Sequence, residues 1–347
     1  MDEWSINGKQ SIDSKTIRKI LFFYILKSLR LCSRLSRIWL MELTPLHYSL
    51  RQLKYFVATA EALSFTAAAK RLHVSQPSIS SALSELEGAF GLQLFIRHHA
   101  QGLSLTQAGR DLLGRARDLL KSAEELQIAA RHSDTGIAGT ISLGCLSSVA
   151  PPLMPWLMSR FLHARTGVNF QTREGDQETL FVGLRDGTLD VALTYDIDIS
   201  DEIDFTPIVE FPPYALLPAK HRLAANEQVS LKDLLDEPYV LLDLAHSKEY
   251  FAALFDRYGS RPVPVFSSSQ PEVVRGMVAN GLGYSIHNFP LRSTQTVDGG
   301  RFAARPIKEK VKPTVLGVAR STRSHPRQLI RDFTAFCYDE ISGAWTK

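Results

Sequence analysis

Residues 64–97 read SFTAAAKRLHVSQPSISSALSELEGAFGLQLFIR, and this stretch decides the fold of the N-terminal part. Ser64 is placed to cap a helix in which Phe65, Ala68, Ala69 and Leu72 recur at helical spacing. His73-Val74 interrupts that run. Ser75 can then cap a second helix, with Pro77 in the first turn where a missing N–H costs nothing. Ile79, Leu83, Leu86 and Phe90 give this helix one apolar face, while Gln76, Ser78, Ser81 and Ser84 fall largely on the other. Periodicity alone also allows a helical hairpin buried in some core. Amide and hydroxyl groups on exposed first turns suit the major groove, where base edges present a code of donors and acceptors. The stretch therefore reads as a helix-turn-helix whose recognition helix starts at Ser75 or Gln76.

Working outward, Leu50, Leu53, Val57 and Ala60 predict a preceding helix with its own apolar face. Beyond the recognition helix, 93–96 and 103–105 are strand-like runs around a turn at 98–102, which predicts a wing at about 97–104. Thr106 caps a long helix to about His132. Along it Leu112, Ala116, Leu119, Ala123, Leu126 and Ala130 alternate in steps of four and three, a heptad seam suited to pairing with a second copy.

The ordered string Ala68-Ala69, Leu72, Ser75-Gln76-Pro77-Ser78, Ser81, Leu86-Glu87, Gly91, Leu94-Phe95, Arg97, Leu105-Thr106 and Ala108-Gly109 resembles the N-terminal signature of LysR-type transcriptional regulators. That resemblance implies operator DNA as a partner, the long helix as the dimer contact, and RNA polymerase as a downstream partner. The DNA-contacting set placed by this motif is Arg51, Gln76, Pro77, Ser78, Ser81 and Arg97. Gln76 and Ser78 would read base edges, and Arg51 and Arg97 would hold phosphate. Ser81 departs from the family, where a longer Arg, Lys or Gln is common, and His98-His99-Ala100 leaves the wing less basic than in many relatives.

After a polar hinge at 134–139 the texture changes to alternating strands and helices. Strands near 140–144, 168–172 and 189–194, with helices near 153–165 and 178–185, predict a parallel βαβαβ sheet. From about Ile208 the pattern restarts with strands near 214–217, 239–242, 263–266 and 283–286. A last strand at 315–318 and a helix at 326–336 complete the chain. This is similar to the family's two-lobed effector domain of the periplasmic-binding-protein type. The expected fold class is α/β, with an N-terminal extension (1–47), a winged helix-turn-helix (48–105), a linker helix (106–133) and an effector domain (139–340). Lobe one takes 139–207 and 306–340, and lobe two takes 208–305.

Ligands of open α/β sheets sit beyond the carboxyl ends of strands, against helix N-termini. Those positions hold Ser147-Ser148, Asp176-Gln177, Thr194, His246-Ser247, Ser268-Ser269-Gln270 and His287-Asn288. Each alone could be an ordinary helix cap. Ser147, Ser148, Gln177, Thr194 and Ser269 match positions where the family contacts its effector, and His246 and His287 join them as polar loop ends. Helix N-termini favour an anionic effector. His287-Asn288 replaces a common apolar-Pro pair and makes the pocket more polar. Arg275 could add charge there, although an arginine on a helix more often faces solvent.

The charge of +4 is carried by the first forty residues, where eight Lys/Arg stand against three Asp/Glu, so the remainder is about neutral. Net charge is thus no argument for DNA binding. The apolar run 20–26 is too short for a bilayer, which needs about 20 residues. It is followed by no cleavage site, and it reads as sequence upstream of a start at Met41 or as a basic helix touching a membrane. Cys32, Cys145 and Cys337 are scattered, which fits a reducing cytoplasm, and nothing local supports a redox pair of Cys145 with Cys337. HExxH, Gly-x-Ser-x-Gly, P-loop and GxGxxG motifs are absent, and His98-His99 lacks a third metal ligand at suitable spacing. No enzyme, cofactor or metal is expected. The partners expected are duplex operator DNA, a small effector, other copies in a homodimer or homotetramer, and no membrane. A solute-binding module would use the two lobes equally well, but it has no use for residues 48–109.

Overall fold

The computed structural model describes residues 46–98, 102–131, 138–291, 293–324 and 326–345. The readings of residues 1–40, of the wing tip at 99–101 and of most of the polar hinge lie outside these residues.

Three helices open the described part of the chain: α1 (Leu50–Ala62), α2 (Phe65–Leu72) and α3 (Gln76–Phe90). The caps are the ones the sequence dictates. Ser64 Oγ accepts from the Ala67 N–H at 3.3 Å, and Ser75 Oγ accepts from the Ser78 N–H at 3.2 Å. Gly91, at φ 64°, ends α3, and the Leu92 N–H returns to the Glu87 carbonyl. Ile79, Leu83 and Leu86 are buried as predicted. In α1 the inward face is instead Leu53, Tyr55, Phe56 and Thr59-Ala60, with Leu50 exposed. Phe56 meets Phe95 edge-on at 5.6 Å between ring centres, which pins α1 to the first wing strand.

The wing is β1 (Phe95–His98) paired antiparallel with β2 (Gly102–Leu105). Glu87 fixes its entry by accepting the Leu94 and Phe95 N–H groups at 2.7 and 3.2 Å. The linker helix α4 (Gln107–Arg131) follows, capped by Thr106 Oγ1 on the Gly109 N–H at 2.9 Å. Gly109 has no room for a side chain, because a Cβ there would stand 2.3 Å from the Leu94 carbonyl oxygen.

Lobe one is built from β3 (Gly139–Leu146), α5 (Ala150–Ala164), β4 (Val168–Gly175), α6 (Gln177–Arg185), β5 (Val191–Tyr195) and β6 (Ile203–Phe211). Lobe two follows with β7 (Tyr214–Pro218), β8 (Tyr239–Leu242), α7 (Ser247–Ala253), β9 (Pro264–Ser268), α8 (Pro271–Ala279), β10 (Ser285–His287) and β11 (Phe302–Pro306). The chain then returns to lobe one through β12 (Thr314–Ser321) and α9 (Gln328–Trp345).

The lobe-one sheet runs β4-β3-β5-β12-β6. Its first three strands are parallel, as expected, but β12 lies antiparallel to both β5 and β6. The sheet is therefore mixed, and the lobe boundary falls after Phe211 rather than at 207–208. Pro207 and the polar residues Asp204, Thr206 and Glu210 disguise β6 in the sequence. The strand tolerates its proline where the pairing slips between Leu316 and Gly317. Ile141, Leu153, Leu157, Phe161 and Phe333 fill the core beneath this sheet. Two crossings join the lobes: Pro212-Pro213 and the segment 307–313.

Cys145 on β3 and Cys337 on α9 are free, fully buried thiols in that same core. Burial pushes both thiols up, which suppresses the reactive thiolate and argues against a redox sensor here.

Candidate functional site: a helix-turn-helix surface and an interlobe pocket

The first turn of α3 stands clear of the fold, with Ser75 to Ser78 all exposed. Ser78 is partly committed, since its hydroxyl shares a 2.7 Å hydrogen bond with the Ser75 cap. Ser81 donates to Glu85 at 3.3 Å, and Gln52 donates to the other Glu85 oxygen at 3.0 Å. The Ser81 hydroxyl is thus held against a carboxylate, which leaves Gln76 as the long polar side chain of this turn free to reach outward. Arg97 lies over the Phe65 ring, 5.0 Å from its centre, and Arg51 donates to the Tyr55 hydroxyl at 2.7 Å. Both guanidiniums are pre-set by these contacts on exposed side chains. Pro77 supplies fixed helical geometry between Gln76 and Ser78.

The helix-turn-helix is tied to lobe one through α4. Arg117, its side chain only 10% exposed, donates to Glu61 of α1 at 3.1 Å and to the Asp186 carbonyl at 2.5 Å. One turn on, Lys121 pairs with Asp190 at 2.9 Å, and Asp190 also binds Arg327 at 3.0 Å. The backbones meet at Gly114 and Gly187, where a Cβ on Gly187 would lie 3.0 Å from the Gly114 Cα. Nothing in the local sequence announces these contacts, because the partners stand 56 to 137 positions apart.

In the effector domain Ser147 and Ser148 form the half-buried turn between β3 and α5. Gln177 is the first residue of α6, 1% exposed, and its amide nitrogen donates to the Ile197 carbonyl. The cap of α6 is Asp176, whose hydrogen bonds from Thr179 hold its carboxyl below the usual range. Thr194 is fully buried within β5. His246 precedes α7 at φ 64°, a strained value for a residue with a side chain. It reaches across to lobe one, 2.8 Å from Asp198 and 3.7 Å from Glu178. The contact spans the two lobes. Ser269 is exposed on the β9–α8 turn, where Ser268 rather than Ser269 accepts the Gln270 N–H.

His287 ends β10, buried among its neighbours, with its ring 6.5 Å from Tyr214. Arg275 of α8 corrects the reading of a solvated surface arginine. Its side chain is only 12% exposed, because α8 packs this face onto the sheet of lobe two. One nitrogen pairs with Glu272 and its Nε is buried without a partner. Among the described residues, four of their buried polar atoms have no hydrogen-bond partner: Gln177 Oε1, Thr194 Oγ1, Arg275 Nε and His287 Nε2.

Burial, with the Arg275 charge adding, pushes His287 down to about 3. The folded state keeps this ring neutral, while the unfolded chain protonates it near its ordinary value of 6.5. Between those values the unfolded state binds the extra proton, so stability falls as pH falls, by up to about 1.4 kcal/mol per pH unit. His287→Phe is expected to remove this contribution. Urea unfolding of both proteins at pH 7, 5.5 and 4.5 should show the wild type losing more stability than the variant, and parallel losses would contradict the buried neutral ring.

Among the described residues no three His, Cys, Asp or Glu side chains converge as a metal set, and no helix is long and apolar enough to cross a membrane.

Two family descriptions match the chain: "Bacterial regulatory helix-turn-helix protein, lysR family" over residues 50–110, and "LysR substrate binding domain" over residues 134–342. The chain is 31% identical to the Escherichia coli regulator XapR over 239 residues, covering 68% of this chain and 81% of XapR. It is similar to the crystal structure of HinK, a LysR family transcriptional regulator from Pseudomonas aeruginosa. The identity to HinK is 40%, with 85% of this chain and 99% of HinK covered, at a TM-score of 0.58. A full-length OxyR variant from the same organism gives a TM-score of 0.66 at 25% identity, covering 84% of this chain and 98% of OxyR.

Proposed function

The chain belongs to the LysR family of transcriptional regulators, and we propose that a small anionic effector held between its lobes switches it. It is a helix-turn-helix DNA-binding regulator with an effector-binding domain, which leaves no place for the solute-binding reading. The observation that carries the proposal is the set of unpaired buried atoms: Gln177 Oε1 and Thr194 Oγ1 in lobe one, Arg275 Nε and His287 Nε2 in lobe two. Each unsatisfied group costs about 1–3 kcal/mol, and a ligand bearing oxygens and a donor would recover it. The near-buried guanidinium of Arg275 favours a carboxylate. Ser147 and Ser148 close the site from the β3–α5 turn, and the His246–Asp198 contact spans the lobes beside it.

Transmission to DNA follows the linker helix. A shift of lobe one on ligand binding moves the Gly187 turn against Gly114 and, through Arg117, the Glu61 end of α1. Two copies paired along α4, or four on a longer operator, would change the spacing of their recognition helices and with it the recruitment of RNA polymerase. The protein works in the cytoplasm and performs no reaction of its own.

Thr194→Val combined with Arg275→Met tests the pocket. A thermal-shift screen of anionic metabolites against the wild type identifies a ligand, because one present at a hundred times its Kd adds about 2.7 kcal/mol. The double variant is expected to bind that ligand about a hundredfold more weakly, with ligand-free DNA binding unchanged. Thr194→Val alone is expected to raise the melting temperature, since it deletes a buried hydroxyl that has no partner. Wild-type ligand affinity in the double variant would overturn the placement.

A further inference from the structure

A cavity of about 460 Å³ lies where both interlobe crossings meet lobe two. Pro212 and Pro213 of the first crossing form one wall, Ile307 and Val311 of the second form another, and Pro290 and Leu291 close it. Apart from Asn288, none of the residues assigned to the interlobe pocket lines it.

Its polar groups are mostly spoken for. Tyr214 donates to the Phe289 carbonyl at 2.6 Å, and Asn288 donates to Thr314 at 2.5 Å. Glu309 accepts from Ser230, Tyr258 and the Leu231 N–H, and these hydrogen bonds hold its carboxyl below the usual range despite partial burial. Lys310 stands exposed at the rim, and no ion pair to its ammonium occurs among the described residues. What remains among the described residues is an apolar groove with the exposed Lys310 ammonium at its mouth, beside a Glu309 carboxylate engaged by Ser230, Tyr258 and Leu231.

We propose that this hinge-side cavity is a second ligand site, for a small apolar monocarboxylate whose ring or chain fills the proline-walled chamber and whose carboxylate meets Lys310. The volume lies within the range of small-molecule pockets. An occupant touching both crossings resists their bending, so it would set how far the lobes close on the interlobe effector.

The probes are 2-naphthoate and the uncharged 2-naphthalenemethanol, titrated calorimetrically into the full chain. 2-Naphthoate is expected to bind saturably at one site. Lys310→Met should weaken it about tenfold, the loss of one charge-assisted contact worth roughly 1.4 kcal/mol, and leave the alcohol unaffected. Thr294→Trp, which fills the chamber from an exposed position on its lining, should abolish both. The interlobe variant Thr194→Val should bind 2-naphthoate like the wild type, so failure of the interlobe reading and failure of this one are distinguishable. Far-UV circular dichroism confirms that each variant folds, and Lys310→Met alone decides the charge claim if Thr294→Trp does not. The proposal is overturned by absence of saturable binding at millimolar probe, or by binding that Thr194→Val removes and Lys310→Met does not. It is also overturned if Thr294→Trp alters only self-association by light scattering, which would make the cavity a contact between copies.

Discussion

Replacing Leu119 and Leu126 together by Asp is expected to turn the protein monomeric and to lower operator affinity by at least about a hundredfold. The two leucines are 41% and 73% exposed, one heptad apart on α4. The opposite side of the helix is spent within the chain itself, with Leu113 and Ala116 at 7% and 2% exposure. Ala116 therefore leaves the seam read from the sequence, and the free stripe is Leu119 and Leu126 with the half-buried Ala123 beside them. Four leucines meeting across a two-fold axis would contribute about 6–12 kcal/mol of apolar burial, which four carboxylates would replace with repulsion. Two recognition helices on one dimer bind two half-sites as a single event, and that advantage disappears with the pairing. Arg117 and Lys121 are untouched, so the melting temperature of the monomer should hold. Light scattering and fluorescence anisotropy check the outcome, and an intact dimer in the double variant would refute the seam.

The helix-turn-helix was legible almost residue by residue because its determinants are local. Ser64, Ser75 and Gly91 act on backbone groups within four or five positions, and the stripe of α3 needs only one helical period. The βαβαβ order of lobe one was legible for the same reason. What escaped is settled by partners far along the chain. Strand β6 is stabilised by pairing with β12, more than 100 residues later, and its proline hides it. Strand β11 is short, carries two alanines and an arginine, and exists because β7 offers it an edge. Arg275 reads as a surface residue until α8 is packed. His246 reads as a loop end until Asp198, 48 positions away, is placed beside it. Of the effector positions, Gln177, Thr194 and His287 turn out to be buried groups with an unused valence. Ser269 remains an exposed turn, and nothing in its own geometry marks it for a ligand.

Gln76→Ala is expected to erase discrimination at one base pair in each half-site, at a cost of about 1–3 kcal/mol per site. The amide is the long, exposed, uncommitted group of the first α3 turn, whereas Ser78 is shared with the cap and Ser81 with Glu85. Arg97, stacked on Phe65, reaches for phosphate, so Arg97→Ala should weaken all sequences alike and flatten the dependence on salt. The measurement that decides the central claim is selection of bound duplexes from a random pool by the full chain and by Gln76→Ala, at one fixed salt concentration. The account predicts that the full chain enriches a two-fold symmetric site with half-sites whole helical turns apart, and that the variant enriches the same site with one base pair per half relaxed. No enriched sequence, or an identical site from both proteins, would contradict it.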